Sequence, residues 1–287
     1  MQSFSNEPHF GRRTRQAMHE QHSDTTSFEQ EFDRPDHRSF LRRTTLAWAG
    51  DRRDPKRRCT VLCDFDGTVT KSDVTDDLLA RFGKPGWQRL EAQWRAGAIG
   101  SRACMAGQVA LLDCSREELD AHLCGVAIDP AFKQFATAVR ARGAAIEIVS
   151  DGLDHACRVI LGRHGLESIP LKANHLVQTG ARSWRLEFPY AAIGCRAGHC
   201  KCVSARAHAA EGAAVLLIGD GASDFCVARR ASHVFARGAL LAHCAAAALP
   251  HRAVPDFDEA LALLPLALDG SLAHASPEGE TWQEGTR

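Results

Sequence analysis

The chain has 287 residues, of which 45% are hydrophobic and 24% charged, and its formal net charge is +0 at pH 7. That length accommodates one large domain or a core with a sizeable insertion. The balanced charge gives no electrostatic reason to expect nucleic acid or a membrane surface as partner, and no apolar run is long enough to span a bilayer.

The opening stretch "MQSFSNEPHF" lacks the basic start and apolar run of a secretory signal. With 11 cysteines, an odd number, the expected compartment is the reducing cytoplasm, with the thiols acting mainly as small buried hydrophobes. Residues 1–57 are rich in Arg, His, Ser, Asp and Glu without apolar periodicity, which predicts a disordered tail. A basic docking arm is the other reading, and the interspersed acids oppose it. From residue 58 the pattern changes. "TVLCDF" reads as a buried strand. Residues 72–128 then read as short helices: "VTDDLLARF", "GWQRLEAQWRAG", "SRACMAGQVALLD" and "SREELDAHLCG". In "DPAFKQFATAVRARG" a longer helix is predicted, with Asp129 as N-cap, Pro130 in the first position and Gly143 past the end. "AAIEIVS" and "AAVLLIGD" are two further apolar strands, followed by helices over Asp154 to His164 and from Ser223 to Arg230.

The alternation predicts an α/β protein, a doubly wound, Rossmann-like parallel sheet with a helical insertion after the first strand. The expected layout is a core of residues 58–71 and 129–268, an insertion of residues 72–128, and a flexible tail over residues 269–287.

Ligands of open α/β sheets bind beyond the carboxyl ends of the strands. Asp64 and Asp66 stand at such an end, two apart and so on one face, with Gly67 permitting a tight turn and Thr68 offering a hydroxyl. Two adjacent acids are costly unless a cation lies between them, and Mg²⁺ suits oxygen ligands. Asp220 and Asp224 in "LLIGDGASD" supply further carboxylates from another strand end. Ser150, with the backbone amides of Asp151 and Gly152, can face a phosphate, and Lys201 can neutralise its charge. Cys195, His199, Cys200 and Cys202 do not have the spacing of a structural zinc site, and the loop is read as reduced thiols. Trp87 and Trp94, seven apart, are read as one packed helix face.

"DFDGT", Ser150, Lys201 and "GDGASD", in that order at strand ends and helix starts, resemble the four motifs of the haloacid dehalogenase (HAD) superfamily over about 210 residues. The resemblance implies a phosphatase in which Asp64 is the nucleophile and Asp66 the general acid and base. It implies that Thr68, Ser150, Asp151, Gly152 and Lys201 bind phosphate, and that Asp64, the Asp66 carbonyl, Asp220 and Asp224 surround Mg²⁺. The insertion matches the superfamily's C1 cap, as in the phosphoserine-phosphatase-like branch. Asp73 stands where the serine-specific enzymes carry glutamate. "DFDGTVTKSDV", "GWQRLEAQWRAGAIGSR", "CRAGHCKC" and "VFARGALLAHC" are similar to the methionine-salvage phosphatases that act on 2-hydroxy-3-keto-5-methylthiopentenyl-1-phosphate. In the cap, Asp73, Trp87 and Arg102 are candidates for contacting the organic part of a small-molecule phosphate ester, in a monomer or homodimer. The alternatives are a phosphoserine phosphatase, a phosphotransferase, or a catalytically silent binding protein of the same fold.

Overall fold

In the computed structural model the structure describes residues 58–272. The tail expected over residues 1–57, and the 273–287 part of the C-terminal tail, lie outside the described residues. A seven-stranded sheet forms the centre, in the order β4-β3-β2-β1-β5-β6-β7. Its strands are β1 (Cys59–Cys63), β2 (Ala145–Leu153), β3 (Leu171–Gly180), β4 (Ser183–Glu187), β5 (Ala214–Gly219), β6 (His233–Ala236) and β7 (His251–Ala253). All neighbours pair in parallel except β3 with β4.

The apolar run of β1 is buried at every position because it is central and covered on both faces. Its residues alternate between two cores. Val61 and Cys63 join one cluster with Ile146, Ile148, Leu216 and Ile218, whereas Leu62 joins the other with Val149, Val215 and Leu217. The first face is covered by α5 (Phe132–Ala141), α6 (Asp154–Arg163) and α10 (Phe257–Leu268). Helices α7 (Lys201–Ala210), α8 (Phe225–Ala228) and α9 (Gly238–Ala246) cover the second. The chain steps outward from β1 through β2 to β3, then returns to the other side of β1 as β5. The order therefore reverses at β1, and the crevice of this switch point opens at the carboxyl ends of β1, β2 and β5.

Four helices fill the sequence between β1 and α5: α1 (Val74–Phe82), α2 (Trp87–Arg95), α3 (Ser101–Val109) and α4 (Arg116–Leu123). The chain enters and leaves this insertion through one neck, where Thr70 bridges Ile128 in antiparallel fashion and the Asp129 amide donates to the Val69 carbonyl at 2.8 Å. Asp73 caps α1 by accepting from the Asp76 amide at 2.9 Å, and a Ser115–Glu118 capping box starts α4.

Several expectations shift by a few residues. Helix α5 begins at Phe132 with Ala131 as its N-cap, not Asp129. The Asp129 carboxylate instead ties two elements, accepting from the Ala131 amide at 3.0 Å and the Phe257 amide at 3.2 Å. The second strand runs on to Leu153, past the Ser150 where its apolar run ends, because Leu153 pairs with Asn174 beyond a bulge. The helix expected over Ser223 to Arg230 is a 3₁₀ turn at Ala222–Asp224 followed by α8.

Phe257 sits at the junction of α5 and α10, with ring centroids 4.9 Å from Phe132 and 5.2 Å from Phe135 and no exposed surface. Its aromatic neighbours cannot collapse into the space it would leave. Phe257→Ala is therefore expected to cost about 3–5 kcal/mol, read from the urea midpoint at unchanged slope.

Candidate active site

The strand ends at the switch point bring acids together. Asp64, Asp220 and Asp224 each offer one carboxylate oxygen, and these atoms lie within 4.8 Å of one another, the one such metal-competent cluster among the described residues. Asp64 is placed by its amide, which donates to the Ile218 carbonyl at 2.9 Å and so extends the β1–β5 ladder by one bond. Lys201, at the start of α7, enters from below with its side chain 1% exposed. Its ammonium is 2.7 Å from Asp64 Oδ1, 2.7 Å from Asp224 Oδ1 and 3.2 Å from Ser223 Oγ.

Burial alone would favour the neutral amine, but the Asp224 and Asp64 carboxylates outweigh it and raise the Lys201 pKa. One ammonium does not satisfy three acids. Burial, with the Asp64 charge, pushes Asp224 up to about 8 even beside Lys201. Asp220 is raised for the same two reasons. Asp224 is fully buried and its Oδ2 has no hydrogen-bond partner. An oxygen-only donor set with an orphaned carboxylate oxygen fits a hard divalent cation.

The Asp66–Gly67–Thr68 turn leads away from Asp64. Gly67 has φ +67°, and a Cβ there would lie 2.6 Å from Asp220 Oδ2, so the turn admits only glycine. Thr68 donates its hydroxyl to Asp220 Oδ1 at 3.1 Å, joining the β1 and β5 ends. Asp66 Oδ1 accepts from the Val74 amide at 2.9 Å, which leaves Oδ2 facing Ser150 Oγ at 3.4 Å. Burial, reinforced by the Asp73 charge, raises Asp66 well above the ordinary carboxylate range. The Ser150 hydroxyl oxygen also accepts from the Gly152 amide at 2.9 Å, so that amide already has a partner. The carboxylate of Asp151 does work that motif reading did not assign. It accepts from Ser101 Oγ at 2.6 Å, from the His199 amide at 2.7 Å and from Asn174 Nδ2 at 3.2 Å. Ser101 and Asn174 carry no motif, being single polar residues inside otherwise ordinary segments, and His199, weighed above only as a zinc ligand, serves the site through its backbone amide.

A cleft of about 150 Å³ lies between these strand ends and the insertion. Its far wall holds Asp73, Thr75, Asp76, Glu91, Trp94, Cys104, Met105 and Gln108. Partial desolvation, with neighbouring acids adding to it, pushes Asp73 up to about 6. Of the two tryptophans read as one packed face, Trp94 lines the cleft and Trp87 packs on the hydrophobic core. Arg102 is not in the cleft wall. Its guanidinium donates to the carbonyls of Cys195 at 2.7 Å and Ala197 at 3.0 Å, and its amide donates to the Arg196 carbonyl at 3.1 Å. Arg196 reciprocates, donating to the carbonyls of Gly97 and Ala98. This crossed pair fastens the insertion to the loop before α7. Within that loop His199 is buried and bound to the Ser150 carbonyl at 3.1 Å, and all eleven cysteines of the chain are free thiols.

A family profile described as haloacid dehalogenase-like hydrolase matches residues 61–229. The chain is 29% identical to a 2-hydroxy-3-keto-5-methylthiopentenyl-1-phosphate phosphatase from an Exiguobacterium species, over 67% of this chain and 90% of the relative. It is 30% identical to a protein of the same description from Geobacillus kaustophilus, over 68% of this chain and 90% of the relative. A solved structure described as a phospho-aspartyl intermediate analogue of phosphoserine phosphatase superposes with TM-score 0.53 at 20% identity, covering 65% of this chain and 90% of that one. At that identity the likeness establishes the fold.

The raised acids make a prediction about stability. A group whose pKa is higher folded than unfolded contributes stability that is complete below its unfolded pKa and is lost as pH rises through the folded value. Asp224, at about 8, and Asp73, at about 6, therefore make the cation-free protein lose stability from near pH 4 towards pH 8. Melting curves without divalent cation should show Tm falling from about pH 4 to about pH 8, and 5 mM Mg²⁺, a concentration on the order of those that saturate weak oxygen-donor sites, should recover most of the loss. A cation-free Tm that is flat over this window would contradict the charge arrangement.

Proposed function

The chain belongs to the haloacid dehalogenase-like hydrolase family and is a phosphatase, and from that premise we propose that it is a Mg²⁺-dependent phosphomonoester hydrolase acting through an aspartyl-phosphate. The observation that carries this reading is the gathering of Asp64, Asp220, Asp224 and Lys201 at one strand-end crevice. Asp64, Asp220 and Asp224 would hold the ion, with the Asp66 carbonyl as a further ligand by resemblance. When bound, a divalent cation neutralises the clustered carboxylates and draws charge from the phosphoryl oxygens.

In the first step an Asp64 carboxylate oxygen attacks phosphorus. The bond to the ester oxygen breaks, its electron pair stays on that oxygen, and the proton of the Asp66 carboxyl passes to it, releasing the alcohol. The raised Asp66 pKa supports this role, because the group enters the reaction as the acid. The Val74 amide occupies Oδ1, so the proton belongs on Oδ2, the oxygen towards Ser150. In the second step Asp66, now ionised, takes a proton from water. The resulting oxygen attacks phosphorus, and the Asp64–phosphorus bond breaks to give inorganic phosphate. Thr68, Ser150, Lys201 and the Asp151–Gly152 backbone would surround the phosphoryl oxygens. For the Gly152 amide this means exchanging its Ser150 partner for phosphate.

Residues 72–128 act as a cap on the core of residues 58–71 and 129–268, with Asp73 and Trp94 on the side of the organic group. Arg102 is withdrawn from that role, since its donors are taken up by carbonyls. The leading substrate is the methionine-salvage ester named for the relatives. Among the described residues lining the cleft none is Lys, Arg or His, which leaves the carboxylate of phosphoserine without a cationic partner.

Asp64→Asn should lower hydrolysis of an aryl phosphate in Mg²⁺ by at least about 10³-fold. Equal rates from variant and parent would mean the nucleophile is misassigned. Activity should decline as pH rises through the raised Asp66 value, and Asp66→Asn should lose about 10²–10⁴-fold and flatten that alkaline limb. Phosphate release measured side by side should favour the methionine-salvage ester over O-phosphoserine. A preference for phosphoserine would reassign the substrate while leaving the reaction class in place.

A further inference from the structure

We propose that Arg237 is a positioning residue for the divalent-cation site, holding the β1 turn and the β5 turn at the spacing that Asp64 and Asp220 need to share an ion. The inference rests on the metal reading given above and adds to it a residue outside the four motifs.

The geometry is a bracket. Arg237 follows β6, and its amide donates to the Gly219 carbonyl at 3.1 Å, the residue before Asp220. Its side chain reaches the other strand end, where Nη2 donates to the Thr68 carbonyl at 2.9 Å. Thr68 in turn donates its hydroxyl to Asp220 Oδ1 at 3.1 Å. One residue thus touches the backbone beneath Asp220 and the turn that carries Asp66 and Thr68. The guanidinium is itself fixed, since Nη1 donates to the Pro255 carbonyl at 3.2 Å and the group lies 5.4 Å from the Phe257 ring centroid. The next residues complete the grip. The Leu240 amide donates to the Asp220 carbonyl at 2.8 Å. Gly238 has φ +52°, and a Cβ there would stand 2.9 Å from that same carbonyl oxygen. The planar fork of arginine can bond two carbonyls in fixed directions, whereas the single ammonium of lysine cannot span both with the same geometry. Groups that orient metal ligands in this way are worth about 10–100-fold in metal affinity when removed.

The test uses the full chain and Mg²⁺ alone as probe, following the Mg²⁺-induced rise in Tm as a function of concentration. Mg²⁺ dependence of aryl phosphate hydrolysis is measured in parallel. Arg237→Met should raise the Mg²⁺ concentration needed for half of the Tm rise by about 10–100-fold, with turnover recovered to within a few-fold at saturating Mg²⁺. Arg237→Lys should fall between the variant and the parent. A merely structural arginine would lower Tm by the same amount at every Mg²⁺ concentration and leave the Mg²⁺ midpoint in place, and that outcome overturns the proposal. Should Arg237→Met fail to fold, Arg237→Lys decides alone, and an unshifted Mg²⁺ midpoint again overturns it. An absent Mg²⁺ response in the parent protein marks failure of the metal reading itself, which is distinct from a parent that responds and a variant that responds equally.

Discussion

Two buried carboxylates and a half-buried one around one buried ammonium are the constraint on which the rest of this structure turns. Desolvation makes each ionised acid expensive, and Lys201 can lie against only two of them at 2.7 Å. The protein tolerates the imbalance because the carboxylates are tied to rigid elements. Asp64 is locked by a ladder hydrogen bond to β5, Asp224 stands in the 3₁₀ turn after it, and Asp220 is held by Thr68 and the segment after β6. Each of these anchors lies at or just beyond the end of a strand that is buried and mostly apolar. The hydrophobic core thus supplies the stability against which a frustrated polar cluster can be maintained.

The switch in strand order explains why the frustration falls here. β2 and β5 both flank β1, so their carboxyl ends deliver Ser150 and Asp220 to either side of Asp64. Lys201 comes from the helix preceding β5 and arrives beneath the same point. The insertion is placed on top by the neck at Thr70 and Ile128, within a few residues of Asp66. A cleft forms where a polar floor meets a wall of mixed acids, thiol, thioether and indole groups. The floor fits phosphate chemistry, and the wall is what any organic group must meet.

The parts legible in the sequence were those with a local signature. "TVLCDF", "AAIEIVS" and "AAVLLIGD" are apolar runs closed by polar residues, and each is a strand ending at the site. The four insertion helices were visible as short helical stretches that break the strand–helix alternation. What stayed hidden depends on backbone partners or on half-buried strands. The β3–β4 hairpin carries the weaker alternating pattern of strands exposed on one face, as at Arg185, rather than a continuous apolar run. The β6 and β7 strands are too short to announce themselves. Arg102 looked like a substrate contact because its partners are main-chain carbonyls, which have no letter in a sequence. Asp129 read as a helix cap because it precedes Pro130, whereas folding uses it to join two distant helices. Trp87 and Trp94 share a spacing but not a destiny, since only packing decides which of them meets the cleft.

The crossed arginines at the foot of the insertion bear on protein engineering. Arg102 belongs to the insertion and binds the loop before Lys201, while Arg196 belongs to that loop and binds the insertion. Neither half is self-sufficient. A chimera that imported a relative's insertion without residues 192–198 would separate each guanidinium from the carbonyls shaped to receive it. The natural unit of exchange is therefore discontinuous: two stretches far apart in the gene, inherited or replaced together.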